Sequence, residues 1–434
     1  MTGYDLAAPA PQLVARVAGR GRLVNGLLFI TIFASPFVFI EPSPYEAAFA
    51  LLALAFLVAR VPIGRGVVPL ALLLFLWNLS GVAALIPVLH DPTAITFMVT
   101  SLYLAVTAIM FACLFTEDIV RRLSLVRTAY IVAALIAAAI GIAAYFHLLP
   151  DSERFLLGAV RAKSTFKDPN VYGPFLILPL LFLIDRTLRE GVRPARVVAT
   201  LILLLGLFLS FSRGAWANFM VSAGALMLFM FLTSPTPRFR ARVLAFGLMA
   251  LAGLVLLLAA LLSFDAIGAV FQERANLLQP YDAGPGGRFG RQLEGAMALL
   301  ERPLGVGPLQ FARHWGQDPH NVYLNAFASY GWIGGFAYLM LVLTTLTVGF
   351  RALPVRTPWQ SYLLLALAAF IGAAFEGIVI DSDHWRHYYL LLGLIWGLAI
   401  ATTRAASRRN WRPATQLPPR AETAAGSPPI FRLG

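Results

Sequence analysis

Stretches of about 20 apolar residues recur along the whole chain, each long enough to cross a hydrocarbon core of roughly 30 Å as a helix. In lipid every backbone N–H and C=O needs a partner inside the protein, so this recurrence alone restricts the fold to a helical bundle. The charge content agrees: 13% of residues are charged, against about 25% in water-soluble domains. The expected fold is an all-α polytopic membrane domain over 23–403, with about twelve spans read by hydropathy. They lie near 23–41, 45–60, 67–89, 95–115, 125–147, 171–185, 197–212, 214–233, 243–263, 321–349, 361–380 and 388–403. The first 22 residues are basic and lack the short apolar core and small-residue cleavage site of a secretory signal, so they are expected to stay cytoplasmic. Cys113, the single cysteine, falls inside an apolar run and reads as an inert packing residue.

The net charge of +13 would suit a nucleic-acid partner if it formed a patch. It does not. Arginines fill the alternate short loops, "RVPIGR", "RTLREGVRPAR", "PRFRAR" and "RALPVR", which is the positive-inside bias of a multi-pass protein. Both termini are thereby expected in the cytoplasm, and no nucleic acid is expected as partner. The basic, Pro/Ala/Ser-rich segment 404–434 reads as a disordered tail that touches anionic lipid at most.

Three outer segments break the pattern of short loops: 148–170, the Ser-Arg-Gly junction at 212–214, and 264–320. The last contains "RFGRQLEGAMALLER", whose helical period places Phe289, Leu293, Ala296 and Leu300 on one face, predicting an amphipathic helix over the bundle. Gly-Pro-Gly-Gly at 284–287 and "RPLGVGP" read as turns on either side. Matching broken helices in two halves of the chain, the mark of many transporters, are not visible.

Ionisable groups at a membrane surface that topology does not explain are functional candidates. Arg213 sits at a junction with no loop, between Ser212 and Gly214, on the side where arginine is not a topology signal; the bland alternative is a snorkelling side chain. Arg161 follows an apolar stretch, beside Lys163 and Lys167, which read as a solvated basic loop. Arg288 and Arg291 open the amphipathic helix and either face water or bind an anion. His320 can exchange a proton near neutral pH, and Asn321 can cap the following helix or hold a ligand hydroxyl. All six histidines fall on the outer side, but none has metal-ligand spacing, so no metal and no cofactor are expected. "IDSDHWRH" at 380–387 and Glu376, read as paired with an arginine, complete the set. Several guanidinium forks and one imidazole, without a glycosidase-like carboxylate pair, suit a site that grips a diphosphate.

Four stretches together resemble the O-antigen ligase and O-antigen polymerase family of bacterial envelope glycan enzymes. His320-Asn321 is followed by nine residues and then Gly331-Trp332-Ile333-Gly334; Ser212-Arg213-Gly214 stands at a span boundary; Arg288 precedes "PLGVGP" at 303–308; and "RAKSTFKDPNVYG" fits more loosely, with Ser164 where the family has glycine. The resemblance covers roughly 155–400. It implies a metal-independent, multi-span glycosyltransferase in the bacterial inner membrane with a periplasmic active site. The donor would be an undecaprenyl-diphosphate-linked glycan, and the acceptor lipid A core or another lipid-linked glycan. Arg213, Arg288 and His320 would be catalytic; Arg161, Arg291, Asn321, Ser212 and Gly214 would bind substrate, and Gly331 and Gly334 would let helices approach. Ligase and polymerase share these motifs. A flippase for lipid-linked sugars is the alternative from another class, and a silent scaffold of an envelope assembly a third.

Overall fold

The computed structural model describes residues 11–40, 42–158, 160–234, 236–263, 271 and 287–410. Fifteen α-helices are described among them. The first ten are α1 (Pro11–Ala34), α2 (Pro44–Val58), α3 (Val68–Leu85), α4 (Pro92–Leu114), α5 (Ile119–Tyr145), α6 (Pro169–Phe175), α7 (Ile177–Glu190), α8 (Pro194–Leu209), α9 (Arg213–Thr233) and α10 (Pro237–Leu262). The rest are α11 (Arg288–Leu299), α12 (Phe311–Trp315), α13 (Val322–Ala352), α14 (Gln360–Glu376) and α15 (Arg386–Asn410). Proline opens α2, α4, α6 and α8, where its missing N–H costs nothing. Asp91 and Asp168 cap α4 and α6 by accepting amides at 3.0 and 2.7 Å.

Each of the twelve apolar stretches expected from the sequence coincides with a helix, yet only eight helical stretches described here are long and apolar enough to cross a membrane. Four are shorter: Gly21–Ala34, Pro44–Val58, Pro194–Leu209 and Gln360–Glu376. A helix of 17 residues such as α14 rises only about 25 Å, short of the roughly 30 Å core. The sixth stretch divides at Leu176, two residues after Pro174, into α6 and α7. Segment 148–170 is not plain loop, since a two-stranded antiparallel hairpin pairs Leu156–Leu157 (β1) with Arg161–Ala162 (β2). The helix α1 begins within the predicted polar N-terminus, and α15 runs on through 404–410 where a tail was expected. Residues 1–10, the remaining tail 411–434, and 284–286 of the predicted turn lie outside the described residues.

The centre of the bundle is α15, buried on nearly all sides from Tyr388 to Ala399 and packed on α4, α13 and α14. Around it α3 pairs with α13, α9 with α14, and α5 with α1 and α8. Connections meet at one end. Thr165 Oγ1 donates to the Pro36 carbonyl at 2.7 Å, and Arg386 pairs with Glu46, itself the box residue that caps α2. At the same end Arg313 reaches Asp91 at 2.7 Å, fixing the long loop to the start of α4.

Candidate functional site

The histidine motif is held by its backbone. Asn321 is the N-cap of α13, its Oδ1 accepting the Leu324 amide at 3.0 Å. His320 just before it has φ +44°, a left-handed geometry that costs a non-glycine residue on the order of 1 kcal/mol. Asp381 stabilises that turn: its two carboxylate oxygens accept the His320 and Asn321 amides, each at 3.1 Å. The Val322 amide donates to the Gly377 carbonyl at 2.8 Å. The imidazole of His320 lies 3.9 Å from Asp381 through Nδ1. Neighbouring Asp383 is engaged elsewhere, with His384 Nδ1 at 3.0 Å, while His384 Nε2 faces the Phe97 carbonyl. Burial, with the charges of Asp383 and Asp318, pushes the Asp381 carboxyl up to about 8, against the pull of the two amides.

The arginine junction stands beside this motif. Between α8 and α9 there are only three residues, and Phe211 takes φ +46° to make the turn. Ser212 caps α9 by accepting the Ala215 amide at 3.3 Å, which puts Arg213 in the first turn, half-buried. Gly214 is needed for contact: a Cβ there would lie 2.9 Å from Oε1 of Glu376. Glu376 ends α14 directly before Gly377, so two close contacts connect the start of α9 to the start of α13. The expected arginine partner of Glu376 is not the one observed; Asn218 Nδ2 donates to it at 2.7 Å and in turn Asn218 accepts from Ser222 at 2.9 Å. Asn218 lies on α9 just over one turn after Arg213, and both it and the carboxylate it meets are buried between α9 and α14.

Arg161 joins the same group from β2. Its Nε donates to the Ser210 carbonyl at 3.1 Å and a terminal nitrogen to Asn170 Oδ1 at 2.9 Å. It therefore braces the junction. Ser164, where glycine was expected, adopts φ +53°, the conformation that favours glycine; its Oγ donates to the Ala137 carbonyl at 2.6 Å.

Arg288 begins α11, and one turn later Gln292 donates to the Pro319 carbonyl at 2.5 Å, next to His320. Residues 288 and 292 share a helical face, which aims the start of α11 at the histidine motif. Arg291 lies against Gly316, four residues ahead of His320. The predicted amphipathic helix is present but rotated: Phe289, Leu293 and Leu300 are exposed, and Gly295 and Leu299 are the buried pair. The reason is steric. Phe311 packs so closely on Gly295 that a Cβ there would meet its ring at 2.4 Å, and only the small-residue face admits that approach.

The two glycine motifs meet. Helix α13 breaks at Gly331, with φ +68° and ψ −175°, and "PLGVGP" docks into the break. The freed Ala328 carbonyl accepts amides of Val306 and Gly307 at 2.8 and 3.1 Å, and the freed Trp332 amide donates to Pro303 at 2.8 Å. Ser80 of α3 completes the repair, donating to Tyr330 O at 2.5 Å and accepting from Gly334 N at 3.1 Å. Gly334 thus allows a helix to approach, as expected, whereas Gly331 accommodates a loop.

In the sequence Asp381 is one acid of the polar run at 380–387, and nothing local marks Gln292 or Ser80, whose partners are remote in the chain. Among the described residues no group of three or more His, Cys, Asp or Glu side chains could share a metal ion. Residues 198–339 match the family model described as O-antigen ligase, a range that contains Arg213, Arg288 and the His320–Gly334 motif. No curated protein matches the chain.

Proposed function

We propose, from the premise that residues 198–339 are an O-antigen ligase family domain, that this multi-pass protein transfers a glycan from an undecaprenyl-diphosphate carrier to an acceptor hydroxyl. The reaction takes place at the periplasmic face of a bacterial inner membrane, and the acceptor is lipid A core or a second lipid-linked glycan. The observation that carries the reading is the adjacency of the Arg213 helix start and the His320 turn, joined through Glu376 and Gly377.

In this mechanism the bond from the anomeric carbon to the diphosphate oxygen breaks as the acceptor oxygen attacks that carbon. Arg213 and Arg288 grip the diphosphate and stabilise the charge that grows on it as it leaves on its polyprenyl carrier. His320 takes the hydroxyl proton, and the resulting imidazolium faces the Asp381 carboxylate. Arg161 and Ser212 hold the junction, Gly214 lets it close on Glu376, Asn321 sets the imidazole at the helix mouth, and Arg291 orients substrate. No metal or other cofactor enters the scheme. A flippase is not favoured, because the domain match is to a ligase and the unexplained charge gathers at one end of the bundle.

The test is a proteoliposome assay with a polyprenyl-diphosphate-linked glycan and a lipid A core acceptor. His320→Ala should lower turnover by roughly 10²–10⁴-fold. Arg213→Lys should lose roughly tenfold or more, since an ammonium cannot replace a bidentate fork. Full activity in both variants overturns the assignment.

A further inference from the structure

The apolar side of α11 is turned away from the protein. Phe289, Leu293, Met297 and Leu300 repeat at helical spacing, and each is between 52% and 68% exposed. The inward side is a different one, carrying Gln292, Gly295 and Leu299. A third side, with Glu294, is exposed and charged, and Glu301 just past the helix end is exposed too. Three sides of one short helix thus suit three environments: protein, an apolar medium and water.

The attachment point fixes the depth of this helix. Trp332 Nε1 donates to the Leu299 carbonyl at 2.9 Å, and the Trp332 amide to Pro303. Trp332 is the first residue after the break in α13, and from there to Ala352 the helix rises about 30 Å, one hydrocarbon thickness. Below it Ile333, Phe336, Met340 and Leu343 form an exposed apolar face on that span, the face a bilayer covers. Tryptophan at such a level marks the membrane–water boundary. Leu304, exposed as well, has its backbone against Gly331 at the break of α13.

We propose that α11 lies in the membrane interface at the histidine-motif end, its Phe289–Leu300 stripe seated among the acyl chains of that leaflet. The occupant is bilayer lipid, and the helix behaves as a built-in interfacial anchor. Its consequence for Arg288, at the start of the same helix, is a fixed height near the lipid headgroups.

The experiment is collision accessibility in nanodiscs of phosphatidylcholine and phosphatidylglycerol. Leu293→Cys and Met297→Cys in the full chain carry a nitroxide, with Glu294→Cys on the same helix as the water-facing control. Native Cys113 is buried, and the unsubstituted chain gives the labelling background. Oxygen, which concentrates in lipid, should relax positions 293 and 297 severalfold more than a water-soluble nickel chelate does, and position 294 should show the reverse. Preference for nickel at 293 or 297 places the stripe in water and overturns the proposal. Protection from both reagents means that protein, such as a second copy of the chain, covers the stripe, and also overturns it. No glycan is used, so the outcome is independent of the proposed reaction.

Discussion

Asp381 is the residue whose chemistry is least like its position in the sequence. Its carboxylate accepts two consecutive amides and faces an imidazole, yet burial and two neighbouring acids raise it to about 8. Its side chain remains 24% exposed, which screens part of that penalty. The sign follows from linkage. A carboxyl raised in the folded state holds its proton more tightly there, so its effect on stability is most favourable below about pH 4 and is lost as pH climbs to about 8. Activity runs the other way, because only the charged form pairs with an imidazolium, so turnover should rise through about pH 8. Asp381→Asn should remove that limb and lower turnover by roughly tenfold or more, as a pH–rate profile in proteoliposomes would show. A profile unchanged in the variant would assign Asp381 to structure alone.

At the scale of elements, the broken helix α13 and the 303–308 loop form one unit. Neither could sit at that depth alone: the break frees Ala328 and Trp332 backbone groups, and the loop supplies the missing partners. Gly331→Ala tests this, since its φ is +68° and a Cβ would approach the Pro303 carbonyl to 2.7 Å. The expected cost is about 1–3 kcal/mol, read as a lowered midpoint of thermal unfolding in detergent. Faster proteolysis within the long loop should accompany it. The motif spacing around His320 was legible in the sequence; its role as a docking break was not, because a glycine in an apolar run looks the same in a straight helix and in a broken one.

For the whole molecule, the segment 303–313 of the long loop is tied to the bundle both at the α13 break and at Asp91. The Asp91 carboxylate accepts Thr93, Gln310 at 3.2 Å and Arg313 at 2.7 Å, and the Thr93 hydrogen bond chiefly holds it down to about 2. Because this pKa is depressed, the anchor is intact above about pH 4 and is lost as pH falls toward 2. Asp91→Asn should speed protease cleavage between 300 and 320 at neutral pH while leaving the spans resistant. Equal cleavage rates would mean that the α13 break alone holds the loop.

Which parts of the chain are helical in lipid was determined by the sequence itself, because a hydrocarbon solvent leaves the backbone no other partner and the apolar runs declare their own length. The arginines and the histidine that stand out from those runs were legible for the same reason: a charge is conspicuous where charge is costly. Only the tertiary structure decided which face of α11 is buried, that Asn218 rather than arginine meets Glu376, and that Asp381 supports the His320 turn. Those outcomes depend on fits of a few tenths of an ångström between segments far apart in the chain, at Gly214, Gly295 and Gly331, and local pattern carries no record of the partner.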